Sequence, residues 1–282
     1  MGTTNSNPIL KERIIRPKRG LVGIDFAELW RYRELFLFLT WRNIIIRYKQ
    51  TAIGIVWAFI RPVMMMIVFS IIFGKIAKLP SDGLPYPILT FTALLPWQFF
   101  SSSLTRGSAS VIGSSNMVSK IYFPRLVIPS TEVSAAMVDF LISFVILIGL
   151  MFYYRVVPTV QVFWLPLFFL LALFSSFGIS LWFSALNVKY RDVQQAVPFL
   201  VQFGLYISPV AFSTSVVPER FRFLYSLNPM VGVIDGFRWA LLGQKVSLYY
   251  PGLALSSAMV LIILVSGAFY FKKMERTFAD II

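Results

Sequence analysis

Six long apolar stretches divide the chain, and each is about long enough to cross a lipid bilayer as a helix. A membrane-crossing helix needs about 20 mostly apolar residues, and it satisfies its own backbone hydrogen bonds because the bilayer core holds no water. We number these stretches spans one to six; they cover residues 51–73, 86–104, 126–153, 162–186, 196–212 and 251–271. The pattern predicts an all-α integral membrane protein with six transmembrane helices.

A different apolar pattern precedes span one, because charged residues run through it. At 100° per residue, six positions share one face: Phe26, Trp30, Leu37, Trp41, Ile44 and Tyr48. We predict an amphipathic helix in the membrane interface, where aromatic and basic side chains meet lipid headgroups, with Trp30, Arg33, Trp41, Arg47 and Tyr48 as its key residues. A seventh span is the alternative, but it would place several Arg residues in hydrocarbon at about 2.5 kcal/mol or more each.

Composition agrees with a membrane protein, since 57% of the 282 residues are hydrophobic and 13% are charged. The sequence contains neither Cys nor His, which excludes thiolate nucleophiles, disulfides, imidazole bases and nearly all transition-metal sites. We therefore expect no catalytic residue, no metal site and no bound cofactor. The net charge is +14, but its basic residues lie beside the spans, so we expect membrane lipids and not nucleic acid as the partner.

The distribution of Lys and Arg predicts the orientation in the membrane. With six spans, 18 of the 26 basic residues fall on the side of both termini, 7 fall on the other side, and Arg61 lies inside span one. The more basic side is usually cytoplasmic, so we expect both termini in the cytoplasm, with the N-terminus retained. We divide the chain into a cytoplasmic basic tail with the interfacial helix (residues 1–50) and one membrane domain (residues 51–282).

The sequence contains no G-x-x-x-x-G-K-[ST] loop, so the chain has no Walker-type nucleotide site. If it transports with ATP, another chain must hydrolyse the ATP. The loop between spans two and three could hold such a partner: Ser114–Asn116 can cap a short helix, and residues 122–125 add two aromatic rings and a charge. We call residues 114–125 the docking segment, although from its residues alone an ordinary cytosolic turn is an equal interpretation.

Two acidic residues, Glu132 and Asp139, lie seven positions apart in span three and so share one helix face. Carboxylates at membrane depth are candidates for a proton relay or an acid/base pair. The commoner alternative is structural pairing with a base such as Arg61 or Arg125. Both interpretations stay open at this level.

Span five mixes aromatic residues with glutamines and prolines that lipid tolerates poorly. Phe199, Phe203 and Tyr206 lie at i, i+4 and i+7 and form what we call the aromatic face. These rings either stack on sugars or pack against other helices. After span five, turn residues around 217–221 and 228–230 delimit two short amphipathic stretches. They predict external half-helices that return partway into the membrane and gate an exit.

Several stretches together resemble the permease subunits of ABC-2 type exporters for polysaccharides and polyol phosphates, which include O-antigen, capsule and teichoic acid exporters. The matching stretches are ELWRYREL (28–35), RYKQT (47–51) with Gly54, WA (57–58), LPWQFF (95–100), KIYFPR (120–125), RDV (191–193), SPV (208–210), LNPM (227–230) and GFRWALLG (236–243). No single stretch is decisive, but their order and spacing extend over residues 25–245.

The resemblance implies a homodimer in a bacterial inner membrane, bound to two copies of an ATPase subunit that carries ATP and Mg²⁺. Its substrate would be a lipid-linked polysaccharide, with O-antigen as our main expectation and capsule or teichoic acid as the alternatives. For the site residues it implies three groups: the docking segment as coupling helix, an aromatic belt in a channel, and external gate helices. We assign to them Asn116, Lys120, Tyr122, Phe123, Pro124 and Arg125 (coupling), Trp57, Phe199, Phe203 and Tyr206 (channel), and Arg220, Asn228 and Pro229 (gate).

Three other functions compete with export driven by a partner ATPase. A membrane-embedded transferase for lipid-linked sugars would use Glu132 and Asp139, but no soluble loop is long enough to build its donor site comfortably. An ion-coupled flippase would use Asp139 for protons and would need no ATPase. A purely structural scaffold is disfavoured by the polar, proline-broken span five.

Overall fold

The computed structural model describes residues 26–49, 56–81, 83–243 and 246–281. These residues form helices, turns and loops, with no β-strand among them. The helices are Phe26–Arg31 (α1), Arg33–Lys49 (α2), Val56–Phe69 (α3), Tyr86–Gly113 (α4), Ser115–Lys120 (α5), Val127–Tyr153 (α6), Leu165–Lys189 (α7), Val193–Ile207 (α8), Glu219–Tyr225 (α9), Pro229–Leu242 (α10), Tyr250–Met274 (α11) and Phe278–Ile281 (α12). The basic tail, the first residues of span one, Gly54 and Lys245 lie outside the described residues.

Four of the described helical stretches are long and apolar enough to cross a membrane. The first is Val56–Ile76, which consists of α3 and a π-helix (Ser70–Ile76) that continues it. The others are Val127–Tyr153, Val160–Lys189 and Tyr250–Thr277. These stretches correspond to spans one, three, four and six. The protein is therefore an all-α integral membrane protein, as its hydropathy predicts.

The helix of span two, α4, is long enough to cross a bilayer but is less apolar than those four. It packs most extensively against α6 and α7 and also contacts α3, α8 and α10, so most of its surface meets protein. Polar side chains are tolerated there because they bond within the helix: the hydroxyls of Thr90 and Thr92 donate to the carbonyls of Tyr86 (2.9 Å) and Ile88 (2.7 Å). Burial among other helices thus replaces the apolarity that lipid would require.

The helix of span five, α8, begins three residues before the predicted stretch and ends at Ile207, five residues before its predicted end. Ser208 adopts an extended conformation (ψ 152°) because the ring of Pro209 disfavours helix in the preceding residue. The prediction of helix through residue 212 was therefore wrong. Residues 208–213 instead form a loop that other helices hold.

The helices α7 and α11 approach closely because glycines face each other. A Cβ added at Gly178 would lie 2.7 Å from the Cα of Leu264, and one at Gly267 would lie 2.3 Å from the carbonyl oxygen of Gly178. Small residues let helices pack backbone to backbone where water gives no driving force for burial. This contact fixes α11 against the centre of the bundle.

The helices meet in two groups at opposite ends of the bundle. At one end, an apolar cluster joins the last turns of α4, α7 and α11 to the start of α6, with residues from α2, α5 and α12. At the other end lie the start of α4, the loop 208–213, α9 and part of α10. We call these the α5 end and the α9 end.

Candidate functional site

The docking segment lies at the α5 end and divides into an exposed and a buried part. Asn116, Lys120 and Tyr122 are exposed, and Tyr122 is 68% accessible. Phe123 is only 4% accessible and packs in the apolar cluster, so it cannot contact a partner directly. The segment therefore presents one aromatic ring outward and uses the other to fix itself to the helix bundle.

The helix cap predicted around Ser114 differs in detail. Ser114 does precede α5, but its side chain makes no capping hydrogen bond there. Its backbone N–H is instead bonded to the carbonyl of Ser110 at the end of α4 (3.0 Å). The short helix thus continues almost directly from α4, so a movement of one affects the other.

The exposed ring of Tyr122 is tied to the helices before span one. Its hydroxyl donates to Oε1 of Glu28 (3.4 Å), and the hydroxyl of Tyr32 donates to the Tyr122 carbonyl oxygen (3.4 Å). Partial burial and the Glu28 carboxylate both raise the pKa of the Tyr122 phenol. The docking segment and α1 therefore form one continuous polar surface.

The helix α2 packs lengthwise along the first half of α6. Asn43 donates to Oε1 of Glu132 (2.9 Å), while Arg47 and Tyr48 both bind the carboxylate of Asp139. Asp139 is the thirteenth residue of α6, about 20 Å from its start. The contacts of α2 therefore extend along α6 well beyond the first turn of α6.

This packing decides how the acidic pair of span three is used. Asp139 pairs with Arg47, whereas Arg125 bonds to the backbone of Glu275. A base therefore does pair with Asp139, but it is Arg47 and not one of the suggested residues Arg61 and Arg125. Arg47 was predicted as a residue of the interfacial helix that meets lipid headgroups, and was not identified as the partner of Asp139. Both carboxylates are engaged by α2, and no three His, Cys, Asp or Glu side chains in the described part of the chain are grouped to hold a metal ion.

The Arg47 guanidinium depends strongly on Asp139. Its side chain is 8% accessible, and its other bond goes to the carbonyl of Ala135 (3.2 Å). The Nε and Nη2 atoms have no hydrogen-bond partner among the described residues. The remaining predicted interfacial residues, Trp30, Arg33 and Trp41, lie on the exposed side of α1 and α2.

The aromatic face of α8 is exposed within the subunit. Phe199, Phe203 and Tyr206 are 66%, 54% and 59% accessible, and the first two rings lie nearly parallel at 6.2 Å between centroids. Gln195 and Gln202 are exposed on the same helix. Aromatic and amide groups thus share a surface that the rest of this chain leaves uncovered.

The opposite side of α8 is fixed against α4. A Cβ added at Gly204 would lie 2.9 Å from the ring of Trp97, so the two helices touch closely at this glycine. The contact orients the aromatic face away from the bundle. Trp57, on α3, is also exposed (55%).

The predicted gate residues lie around the loop between α8 and α10. Asn228 accepts from the backbone N–H of Met230 (3.0 Å), which caps α10, and donates to the hydroxyl of Ser208 (3.0 Å). Pro229 occupies the first turn of α10, where its missing N–H costs nothing. Arg220 is exposed on α9, over the ring of Phe221.

The helix α10, the second of the two predicted half-helices, is much more deeply buried than α9. Its 14 residues extend about 21 Å and pack against α4, α7 and α11. A Cβ at Gly236 would lie 2.1 Å from the ring of Phe168, so no larger residue fits there without movement. The first half-helix, α9, is short and has no buried residue.

Arg238, on α10, is the residue that sequence reasoning missed. It is 1% accessible and donates to the carbonyls of Phe212 (2.8 Å), Val210 (3.1 Å) and Leu89 (3.4 Å). Asp235, one turn earlier, accepts from the Thr214 hydroxyl (2.7 Å). The pair holds the loop after α8, and the only signal in the sequence was a charged residue inside the apolar stretch 236–243.

Comparison with known proteins adds a family match and several relatives. A sequence model of the family "ABC-2 type transporter" matches residues 34–242. An O-antigen export system permease protein RfbA from Klebsiella pneumoniae is 27% identical over 88% of this chain and 95% of its own length. A Myxococcus xanthus protein of the same name is 26% identical over 88% and 96%, and the polysialic acid transport protein KpsM of Escherichia coli is 26% identical over 75% and 81%.

Proposed function

Since this chain belongs to the ABC-2 type transporter family, we propose that it is the permease subunit of an ABC exporter that moves a lipid-linked polysaccharide across the bacterial inner membrane. The Klebsiella and Myxococcus relatives are both named for O-antigen export, and they align with nearly their whole length. O-antigen is therefore the substrate we favour. Another polysaccharide is the alternative, which the shorter match to the polysialic acid transport protein KpsM supports.

The chain forms the transport pathway, and a partner subunit hydrolyses the ATP. Its family consists of transport subunits that work with an ABC ATPase, and its own sequence contains no phosphate-binding loop. Two permease copies and two ATPase copies would complete the transporter, because a polymer channel between copies needs a second aromatic face. In that assembly ATP and Mg²⁺ belong to the partner.

Six membrane crossings, with both termini in the cytoplasm, account best for the helix arrangement. Two observations support this. The helix α4 is long enough to span the membrane. The helices α4, α7 and α11 end at the α5 end of the bundle, and α6 begins there. The α5 end also carries the more basic segments, which favours the cytoplasm. The helix α8 has only 15 residues, so it would cross the membrane only together with the loop 208–213 that follows it.

The aromatic face is the observation that carries the channel assignment. The two glutamines need hydrogen-bond partners that lipid tails lack, so this side of the helix is a poor surface for lipid. Amide groups beside three aromatic rings suit a sugar chain, which offers hydroxyls and faces on which the rings can stack. Rings stack on sugars at many registers, so a long polymer can slide in short steps. A single closed cavity could not enclose such a substrate.

The exposed half of the docking segment supports its role in coupling to the ATPase. Asn116, Lys120 and Tyr122 provide polar, charged and aromatic contacts, which are typical of the centre and rim of protein interfaces. Phe123, Pro124 and Arg125 would act indirectly, by fixing the segment to the bundle. The exposed side of α1 and α2, with Trp30 and Trp41, faces lipid headgroups and flanks the entrance for a lipid-linked substrate.

The transferase alternative has no support in the geometry. Asp139 is bound by Arg47 and Tyr48, and Glu132 is bound by Asn43, so the two carboxylates serve the contact between α2 and α6. We therefore assign the pair a structural role.

Replacing Phe203 or Tyr206 separately with alanine tests the channel assignment. Each variant loses one ring and about 0.5–1.5 kcal/mol of stacking, so we expect export by each to fall about threefold to tenfold while ATP hydrolysis continues. Export of labelled polymer and phosphate release would be measured together in proteoliposomes that contain permease and ATPase.

Phe269→Ala is the matched control, because Phe269 is as exposed as Phe203 but lies on α11. We expect the control to export like the wild type. Wild-type export by both Phe203→Ala and Tyr206→Ala would contradict the assignment.

A further inference from the structure

The turn that follows α11 packs against the docking segment. Residues Glu275–Thr277 form a 3-10 turn, and α12 continues from it toward α5. Phe278 is fully buried, with its ring edge-on to Phe271 at 5.3 Å between centroids. Both rings belong to the cluster that holds Val118 and Phe123. The docking segment therefore packs on an aromatic pair formed by the end of α11 and the start of α12.

Glu275 connects this turn to the docking segment through hydrogen bonds. Its Oε1 accepts from the backbone N–H of Arg125 (2.9 Å), and its Oε2 pairs with Nζ of Lys272 (2.7 Å). The Arg125 guanidinium donates in turn to the backbone carbonyl of Glu275. The Glu275 side chain is 13% accessible, so these bonds are largely shielded from water.

The connection is of a kind that fixes position. A carboxylate that accepts from a backbone N–H constrains the main chain itself, whereas a contact between two long side chains leaves it free. Arg125 is the last residue of the docking segment, two residues before the start of α6 at Val127. Through Glu275 this point is tied to α11, which is itself fixed to α7 at Gly178 and Gly267.

We propose that Glu275 is a positioning residue for coupling, which holds the docking segment at a fixed place relative to α11. The inference rests on the proposed function, because it takes residues 114–125 as the segment that receives the force of the ATPase. Without the Glu275 carboxylate, only the bond from the Arg125 guanidinium to the Glu275 backbone carbonyl would remain, and a contact through that long side chain leaves the main chain free to move. The segment would then yield under the force of the ATPase, and α11 and the helices packed on it would not follow. ATP would then be hydrolysed with little export.

The test compares Glu275→Ala, Glu275→Gln and Lys272→Gln in proteoliposomes that contain permease and its ATPase. The measured quantity is polymer exported per ATP hydrolysed, which a uniform loss of folded protein does not change. We expect this ratio to fall about tenfold in Glu275→Ala. Glu275→Gln keeps an oxygen that can accept from Arg125, and Lys272→Gln removes only the ion pair, so both should stay within about twofold of the wild type.

A second measurement needs no partner. Because the sequence contains no Cys, a spin label can be placed at Lys120→Cys alone in the full chain. We expect the label to become more mobile in Glu275→Ala and to stay unchanged in Glu275→Gln. This readout reports on the docking segment even where the variant exports nothing.

Three outcomes would overturn the proposal: an unchanged export ratio in Glu275→Ala, an unchanged label mobility, or a Glu275→Gln variant as damaged as Glu275→Ala. The proposed function fails in a different way, namely when the wild-type proteins together show no ATP-dependent export. The label mobility could change as expected although the wild type does not export. In that case Glu275 would still hold the docking segment in place, but its role in coupling would be rejected.

Discussion

Replacing Arg238 with methionine is expected to lower the free energy of unfolding by about 3–5 kcal/mol and to remove most folded protein from the membrane. The guanidinium satisfies three carbonyls, of which those of Val210 and Phe212 lie in a loop with no helix to bond them. Methionine fills a similar volume but donates nothing, so these carbonyls and the nearby Asp235 are left without their cation. Thermal unfolding in detergent would measure the loss.

Arg220→Met is the control for this prediction. Arg220 is exposed on α9, so the same chemical change there should cost less than about 0.5 kcal/mol. Arg238→Lys should be intermediate, because one ammonium cannot reproduce the fork of a guanidinium. Equal melting temperatures for Arg238→Met and Arg220→Met would show that the loop is held by other contacts.

Replacing Asp139 with leucine is expected to be nearly as damaging, because it leaves Arg47 buried without a carboxylate. Removing one partner of a buried ion pair typically costs about 3–5 kcal/mol, whereas replacing both partners with apolar residues is often neutral. The double variant Arg47→Met with Asp139→Leu should therefore recover most of the lost stability. Melting temperature and protease cleavage within α2 would be measured for both single variants and the double variant.

Asp192→Leu serves as the control, since Asp192 is exposed between α7 and α8. It should melt close to the wild type. The pairing of α2 with α6 would be disproved if the double variant were as unstable as the sum of the two single variants.

The four lipid-facing helices could be predicted from hydropathy because lipid imposes that pattern directly. The α4 helix departs from it, since neighbouring helices surround it and hydroxyls such as those of Thr90 and Thr92 bond within the helix. Its existence was predicted, but it extends nine residues beyond span two, to Gly113. The end of α8 was misjudged because the apolar run continues past Ser208, although Pro209 already marks the break.

The sequence predicted a candidate site residue only where its role depends on the helix face that it occupies. Phe199, Phe203 and Tyr206 share a face by spacing alone, and the structure leaves that face open. The roles of Arg47, Arg238 and Glu275 depend on which helices are neighbours, and spacing along the chain carries no such information. Phe123 shows the same limit, because its burial follows from where α11 and α12 pack.

The dependence of export on the ATPase tests the central claim most directly. Purified permease would be placed in vesicles alone, with its ATPase, and with an ATPase whose phosphate-binding lysine is replaced, and labelled polysaccharide would be followed across the membrane. We predict export only with the active ATPase and ATP. Export of the polymer by the permease alone would contradict the account.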